Sequence, residues 1–331
     1  MAAQPPKSGP IGHDSPGGGD QSSSTRAGER PRLGCRWLDT GSPEVLRGVI
    51  PGPGFQDRFL AVVHGKEDLQ VIVVSDIVNW LGELAPLQLA AEGDNVGLLL
   101  GDPARPIARV MTCLTLSEDV AEEAVEAAAG LVIVHHPIPF RPVAKISTVE
   151  PTGRILWRLA SAGICVYCPH TAWDSALKGI NQQWADLLGL QNVRPLAEAR
   201  PDGTGGGRVG ELPAPLTLES LVEKIKGWSG LDRVGVSGDL ARQVRRVAVA
   251  CGSGSEFVPA ALAAECDTLV TGELGYHRVL ETRARGMSVV LVGHFASERF
   301  AMVTLARLLS DAFPTLTVWA STKESDPIRW I

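Results

Sequence analysis

One local pattern occurs twice in this chain. An apolar strand after Ala162-Gly163 leads to His170-x-x-x-Asp174, and an apolar strand after Arg285-Gly286 leads to His294-x-x-x-Glu298. Around each copy, short strand-like runs alternate with helix-period runs. The strand patterns cover 110–116, 131–134 and 164–167, then 247–251, 268–271, 289–292 and 315–320; the helical ones cover 117–129, 154–162 and 178–188, then 256–264, 278–285 and 297–309. Such alternation dictates an α/β fold, a mostly parallel or mixed sheet with helices on its faces. An internal repeat of it sets two similar halves face to face, with strand ends converging on one cleft.

The flanking stretches fix the expected boundaries. Ser75 reads as the N-cap of a helix carrying Ile77, Val78, Leu81 and Leu84 that stops before Pro86. Residues 201–207, Pro-Asp-Gly-Thr-Gly-Gly-Gly, read as a linker. The chain therefore divides into a first α/β half over 71–200, a Gly-rich linker over 201–210 and a second α/β half over 211–331. Residues 1–70 form an extension, and its Gly-, Pro- and Ser-rich beginning is of the kind that stays disordered.

Composition excludes several classes. With 44% hydrophobic and 21% charged residues the chain has ample material for a globular core. A net charge of −6 gives no reason to bind nucleic acid or an anionic membrane. No apolar run reaches the length of a membrane span. The six cysteines show no disulfide framework, which favours a reducing compartment. The cytoplasm is the expected location, with a mitochondrial alternative from the arginines and serines before residue 37 and a nuclear one besides. Cys165 and Cys168 form a C-x-x-C, but they lie within a strand pattern whose positions i and i+3 face opposite ways, against joint redox or metal use.

Four of the seven histidines fall at three strand ends. His135 and His136 are adjacent at the end of an apolar run, where an extended backbone sends neighbours to opposite sides. They suit two separate ions, or one ion and a partner that orients a ligand. His294 and Glu298, four apart, can share one side, with Ser297 as a helix cap and His294 in the approach loop. His170 and Asp174 repeat that spacing. Imidazole and carboxylate accept zinc, iron, manganese, cobalt or nickel without choosing among them. Two divalent ions held close together would polarise an oxygen and activate a shared water, the apparatus for hydrolysing phosphate esters or ring amides. Glu273 and His277, at a further strand end, are candidates for proton transfer or for orienting a ligand. Cys251-Gly252-Ser253-Gly254-Ser255 reads as a tight turn with a weaker alternative as a phosphate contact.

Taken in order, Asp94-Asn95-Val96-Gly97, His135-His136-Pro137, Pro169-His170-Thr171-Ala172-Trp173-Asp174, Cys251-Gly252-Ser253-Gly254-Ser255, Thr271-Gly272-Glu273 and Gly293-His294-Phe295-Ala296-Ser297-Glu298 resemble the NGG-one-interacting-factor-three (NIF-three-like) family. The resemblance implies a NIF-three-like fold of two similar interlinked α/β domains with a metal site between them. It implies that His135, His136, Asp174, His294 and Glu298 hold a dinuclear centre, with His170 outside the ligand set, and that the chain assembles as a homohexamer. Bacterial members are labelled type-two GTP cyclohydrolases and eukaryotic ones partners of transcriptional regulators. The expected function is a metal-dependent hydrolase of a nucleotide-like or phosphorylated small molecule. The alternative is a non-catalytic regulatory or metal-trafficking protein with a transcription-related partner.

Overall fold

The computed structural model of the chain describes residues 71–329; the extension expected over 1–70 lies outside them. Helix α1 (Val74–Leu84) is followed by strands β1 (Gly97–Leu100) and β2 (Arg109–Cys113), helix α2 (Glu118–Glu126), strand β3 (Leu131–Val134), helix α3 (Pro151–Ser161) and strand β4 (Cys165–Cys168). Helices α4 (His170–Ser175) and α5 (Ile180–Leu188) and strand β5 (Gln191–Arg194) lead on to β6 (Arg208–Thr217), α6 (Leu218–Ser229), β7 (Gly235–Ser237) and β8 (Gln243–Ser253). Helix α7 (Val258–Ala263), β9 (Thr268–Glu273), α8 (Tyr276–Ala284), β10 (Ser288–Leu291), α9 (His294–Ala312) and β11 (Thr317–Ala320) complete the order.

The strands form a five-stranded sheet, β1-β4-β3-β2-β11, and a six-stranded sheet, β5-β6-β8-β9-β10-β7. Parallel trios β2-β3-β4 and β8-β9-β10 occupy corresponding places, and each carries an antiparallel edge strand, β1 on β4 and β7 on β10. The duplication expected from the sequence thus extends to the sheet edges. The halves also exchange strands. Strand β11 closes the first sheet beside β2, while β5 joins the second sheet through β6. Two similar α/β domains are interlinked by these exchanges.

Period-two patterning divides the interior. In β3, Leu131 and Ile133 enter the core between the sheets while Val132 and Val134 enter the core under α2 and α3, as alternating side chains must. Cys165 and Cys168 separate in the same way, one into each core. Helix α9 has Ala296 to Met302 buried without a break. A helix apolar or buried on every side lies between layers, and α9 packs against β2 and β11 of one sheet and β8 and β9 of the other.

Three local expectations change. Ser75 does not cap α1: Val73 does, pinned by a bridge to Pro106, and Asp76 accepts its N–H at 2.8 Å. The Gly-rich stretch is not a loose linker, because Thr204 to Gly207 are buried. The guanidinium of Arg208, itself buried, donates to the carbonyls of Gly205, Gly207 and Ala176 and to Gln182 Oε1. Helix α9 begins at His294 rather than at Ser297, since Gly293, at φ +90°, turns the chain directly into it. Among the described residues no helix is long and apolar enough to cross a membrane.

Candidate metal centre

The parallel strands of both sheets end on one side of the molecule's interior, where ligand sites of α/β folds form. Beyond β3 the backbone N–H groups of His135 and His136 still bond to Cys113 and Leu114 carbonyls, at 3.0 and 2.9 Å. This holds both residues extended. Their rings diverge, with centroids 5.2 Å apart and planes inclined at 56°, and His135 is fully buried.

Glu298 stands between the two rings. Its Oε2 lies 3.1 Å from His136 Nε2 and 3.2 Å from His294 Nε2, and these two nitrogens are 3.3 Å apart. Its Oε1 lies 3.9 Å from His135 Nε2, which is also 3.7 Å from Asp174 Oδ1. Donors set about 2.0–2.1 Å from one tetrahedral ion are spaced by roughly 3.3 Å, close to the spacing of the His136, His294 and Glu298 atoms. His294 occupies the first position of α9 and Glu298 the next turn of the same face, so the i, i+4 spacing places them together.

Charge in this cluster is finely divided. Burial holds His135 neutral, far below the usual imidazole range. The Glu298 hydrogen bond raises His294 to about 9. Burial works against the charge on Glu298, but the hydrogen bonds from His136 and His294 outweigh it and keep the carboxyl well below the ordinary range. Asp174 is pushed up, by burial first and by Glu298 second. Both ring nitrogens of His135 are buried without a hydrogen-bond partner, an arrangement that costs about 1–3 kcal/mol per group unless something else satisfies them. A neutral, unpartnered imidazole beside two carboxylates fits a metal ligand, and the His/Glu cluster can hold a metal ion.

The remaining candidate residues differ in how they relate to this cluster. Glu273 Oε1 lies 3.2 Å from His294 Nδ1, the carboxylate–imidazole arrangement that fixes a ligand's tautomer. His277 is exposed at the start of α8, its ring against Tyr276. His170, which the resemblance puts outside the ligand set, lies beside it: one ring nitrogen each of His135, His136 and His170 fall within 4.8 Å of one another. His170 Nδ1 is taken by both oxygens of Asp94, at 2.7 and 2.8 Å, and its backbone sits at φ +32°. That conformation is costly for a non-glycine residue. Cys251 Sγ donates to Asp174 Oδ1 at 3.2 Å.

The turn 251–255 is tight for a visible reason. A Cβ on Gly252 would lie 2.3 Å from Glu298 Oε1, and the residue is at φ +58°. Its N–H donates to Ser297 Oγ, that of Cys251 to Asn181 Oδ1 and that of Gly254 to the Glu273 carbonyl. Those three donors are engaged within the protein, which ties the turn to the cluster. Sequence reasoning quoted Asp94 and Cys251 without giving them a part in the site. Asp94 was the findable one, a carboxylate in the Asp-Asn-Val-Gly turn that leads into β1.

Residues 72–327 match the protein family described as Duf34/NIF3 (NGG1p interacting factor 3). The chain belongs to the DUF34/NIF3 family. It is 31% identical over 260 residues to a Clostridium perfringens protein named GTP cyclohydrolase 1 type 2 homolog, a match spanning 78% of this chain and 99% of the relative. It is 34% identical over 258 residues to the Schizosaccharomyces pombe Protein NIF3 homolog, spanning 73% and 92%. The fold matches the crystal structure of a Bacillus cereus protein related to NIF3 with a TM-score of 0.74, over 79% of this chain and all of that one, at 22% identity. The DUF34/NIF3 fold is therefore the one read from the motifs.

Proposed function

We propose that the chain is a dinuclear metal protein that hydrolyses a nucleotide-like or otherwise phosphorylated small molecule. The observation that carries this is the divided carboxylate of Glu298, one oxygen toward His136 and His294 and the other toward His135. His136, His294 and Glu298 would hold one ion; His135, Asp174 and the other oxygen of Glu298 would hold a second. A pair of ions bound there supplies Lewis acidity toward a phosphoryl or carbonyl oxygen and a water of lowered pKa. Glu273, by accepting from Nδ1–H, would leave the Nε2 of His294 to a metal that displaces its proton. His170, oriented by Asp94 through Nδ1, would offer Nε2 to accept or deliver a proton at the reacting group. His277 is exposed at the start of α8 and would act on substrate rather than metal. The name of the Clostridium perfringens relative agrees with hydrolysis of a nucleotide, and a homohexamer is the assembly we assign.

Elemental analysis of the purified protein beside His136→Ala and His294→Ala, with turnover measured on nucleotide and phosphoester panels, tests this. The expected outcome is two ions per wild-type chain, fewer in both variants, and turnover that follows metal content. Equal metal in all three proteins would sink the site. Full occupancy without turnover on any panel would favour the regulatory or metal-trafficking reading.

A further inference from the structure

The segment that follows β11 returns beneath the metal cluster. Ser321 N–H donates to the Thr112 carbonyl, and Arg299 Nη2 donates to the Ser321 carbonyl at 2.6 Å. The buried carboxylate of Glu123 accepts from Ser321 Oγ at 2.5 Å and from the backbone N–H groups of Thr322 and Lys323. These contacts suffice to fasten the segment, yet the next side chain turns inward. The Glu324 side chain is 3% exposed. Its Oε1 accepts the Thr115 N–H at 2.6 Å, and its Oε2 lies 2.6 Å from Nε of Arg299, itself only 5% exposed.

Both partners adjoin the cluster. Thr115 Oγ1 lies 2.7 Å from His136 Nδ1, and Arg299 follows Glu298 in α9. A single carboxylate thus bridges the loop beside His136 and the helix that carries His294 and Glu298. A buried ion pair is a poor source of net stability relative to an apolar pair, so its place beside the cluster calls for another account. The Thr115 hydroxyl can accept from Nδ1–H of His136, so a metal that displaces the proton shared between Nε2 and Glu298 would find the Nε2 lone pair facing Glu298 and His294.

We propose that Glu324 and Thr115 are positioning residues of the metal centre, through which docking of the segment after β11 and metal affinity are coupled. The proposal rests on the reading of His136 as a ligand. Coupling of this kind is reciprocal: a docked segment tightens metal binding, and bound metal holds the segment down.

The test uses the full chain stripped of metal and titrated with Zn²⁺ against a chromophoric chelator. Glu324→Gln and Thr115→Val are expected to bind on the order of 10–100-fold more weakly than wild type, and Thr115→Ser to stay within a few-fold of it. Trypsin cleavage after Lys323, which is exposed, provides a second readout: Zn²⁺ is expected to slow it in wild type and not in Glu324→Gln. Should Glu324→Gln fail to fold, the Thr115 pair carries the test, since that side chain is on the surface. Wild-type affinity in Thr115→Val, or cleavage that ignores Zn²⁺ in wild type, would overturn the proposal. His136→Ala separates the two levels. If it binds Zn²⁺ like wild type, the site reading fails; if it loses Zn²⁺ while Thr115→Val does not, only the coupling fails.

Discussion

The units β4–α4 and β10–α9 begin from the same sequence pattern and end in different jobs. In each, a histidine opens a helix, its Nδ1 is held by a carboxylate from elsewhere (Asp94 or Glu273), and an acidic residue follows four positions later. The acid decides the difference. Glu298, longer by one methylene, reaches the rings of both domains; Asp174 reaches His135 alone. The supports differ too. Helix α4 has six residues, whereas α9 has nineteen and is wedged between the sheets. The two strand ends are equivalent, and side-chain length together with helix anchoring separates a carboxylate that spans the rings of both units from one that does not.

Shortening the bridge is the strongest way to break this contrast. Glu298→Asp should lower metal affinity on the order of 100-fold or more, read by chelator competition, because the carboxylate withdraws from the far ring while the charge is kept. Binding within a few-fold of wild type would mean that length is not what distinguishes the units. A smaller effect is expected from Asp174→Asn: elemental analysis should find one ion retained at His136, His294 and Glu298 and one lost. Loss of both, or of neither, would contradict the division of labour.

The smallest effect belongs to a carboxylate outside both units, which measures stability apart from ligation. Burial raises the Glu123 carboxyl, but hydrogen bonds from Ser321, Thr322 and Lys323 outweigh it and set the folded value below the ordinary one. A depressed folded pKa contributes stability that is present above the unfolded value, near about 4.3, and lost as pH falls through the folded one. Glu123→Gln should therefore lower unfolding free energy by about 1.5–3 kcal/mol at neutral pH. Urea titrations at pH 7 and pH 3 should show the gap between variant and wild type closing on acidification. A gap that persists at pH 3 would assign the effect to packing rather than charge.

What the sequence disclosed follows from how local each cause is. The β/α alternation, the His-x-x-x-acid spacing and the divergence of His135 from His136 depend on backbone periodicity, so they were legible. The end of α9 nearest the site was misplaced because Ser297 has the form of a cap. Its hydroxyl instead donates to the His294 carbonyl and accepts from Gly252 N–H, a contact that only the meeting of β8 with α9 creates. The pairing of Asp94 with His170 and the grip of Glu324 on Thr115 join residues far apart in the chain. No period announces them. The Gly-rich stretch misled for a related reason, since flexibility is a property of composition only until a buried arginine such as Arg208 claims the carbonyls.

Gly252 has a meaning beyond its turn. The volume that any side chain there would need is already filled by Glu298 Oε1, so the site includes an atom's worth of required emptiness. Positions 252 and 298 are thereby tied: a side chain at 252 would displace the Glu298 carboxylate and would also strain a backbone at φ +58°. A substitution at 252 that leaves every side chain of the cluster unchanged would still displace the Glu298 carboxylate.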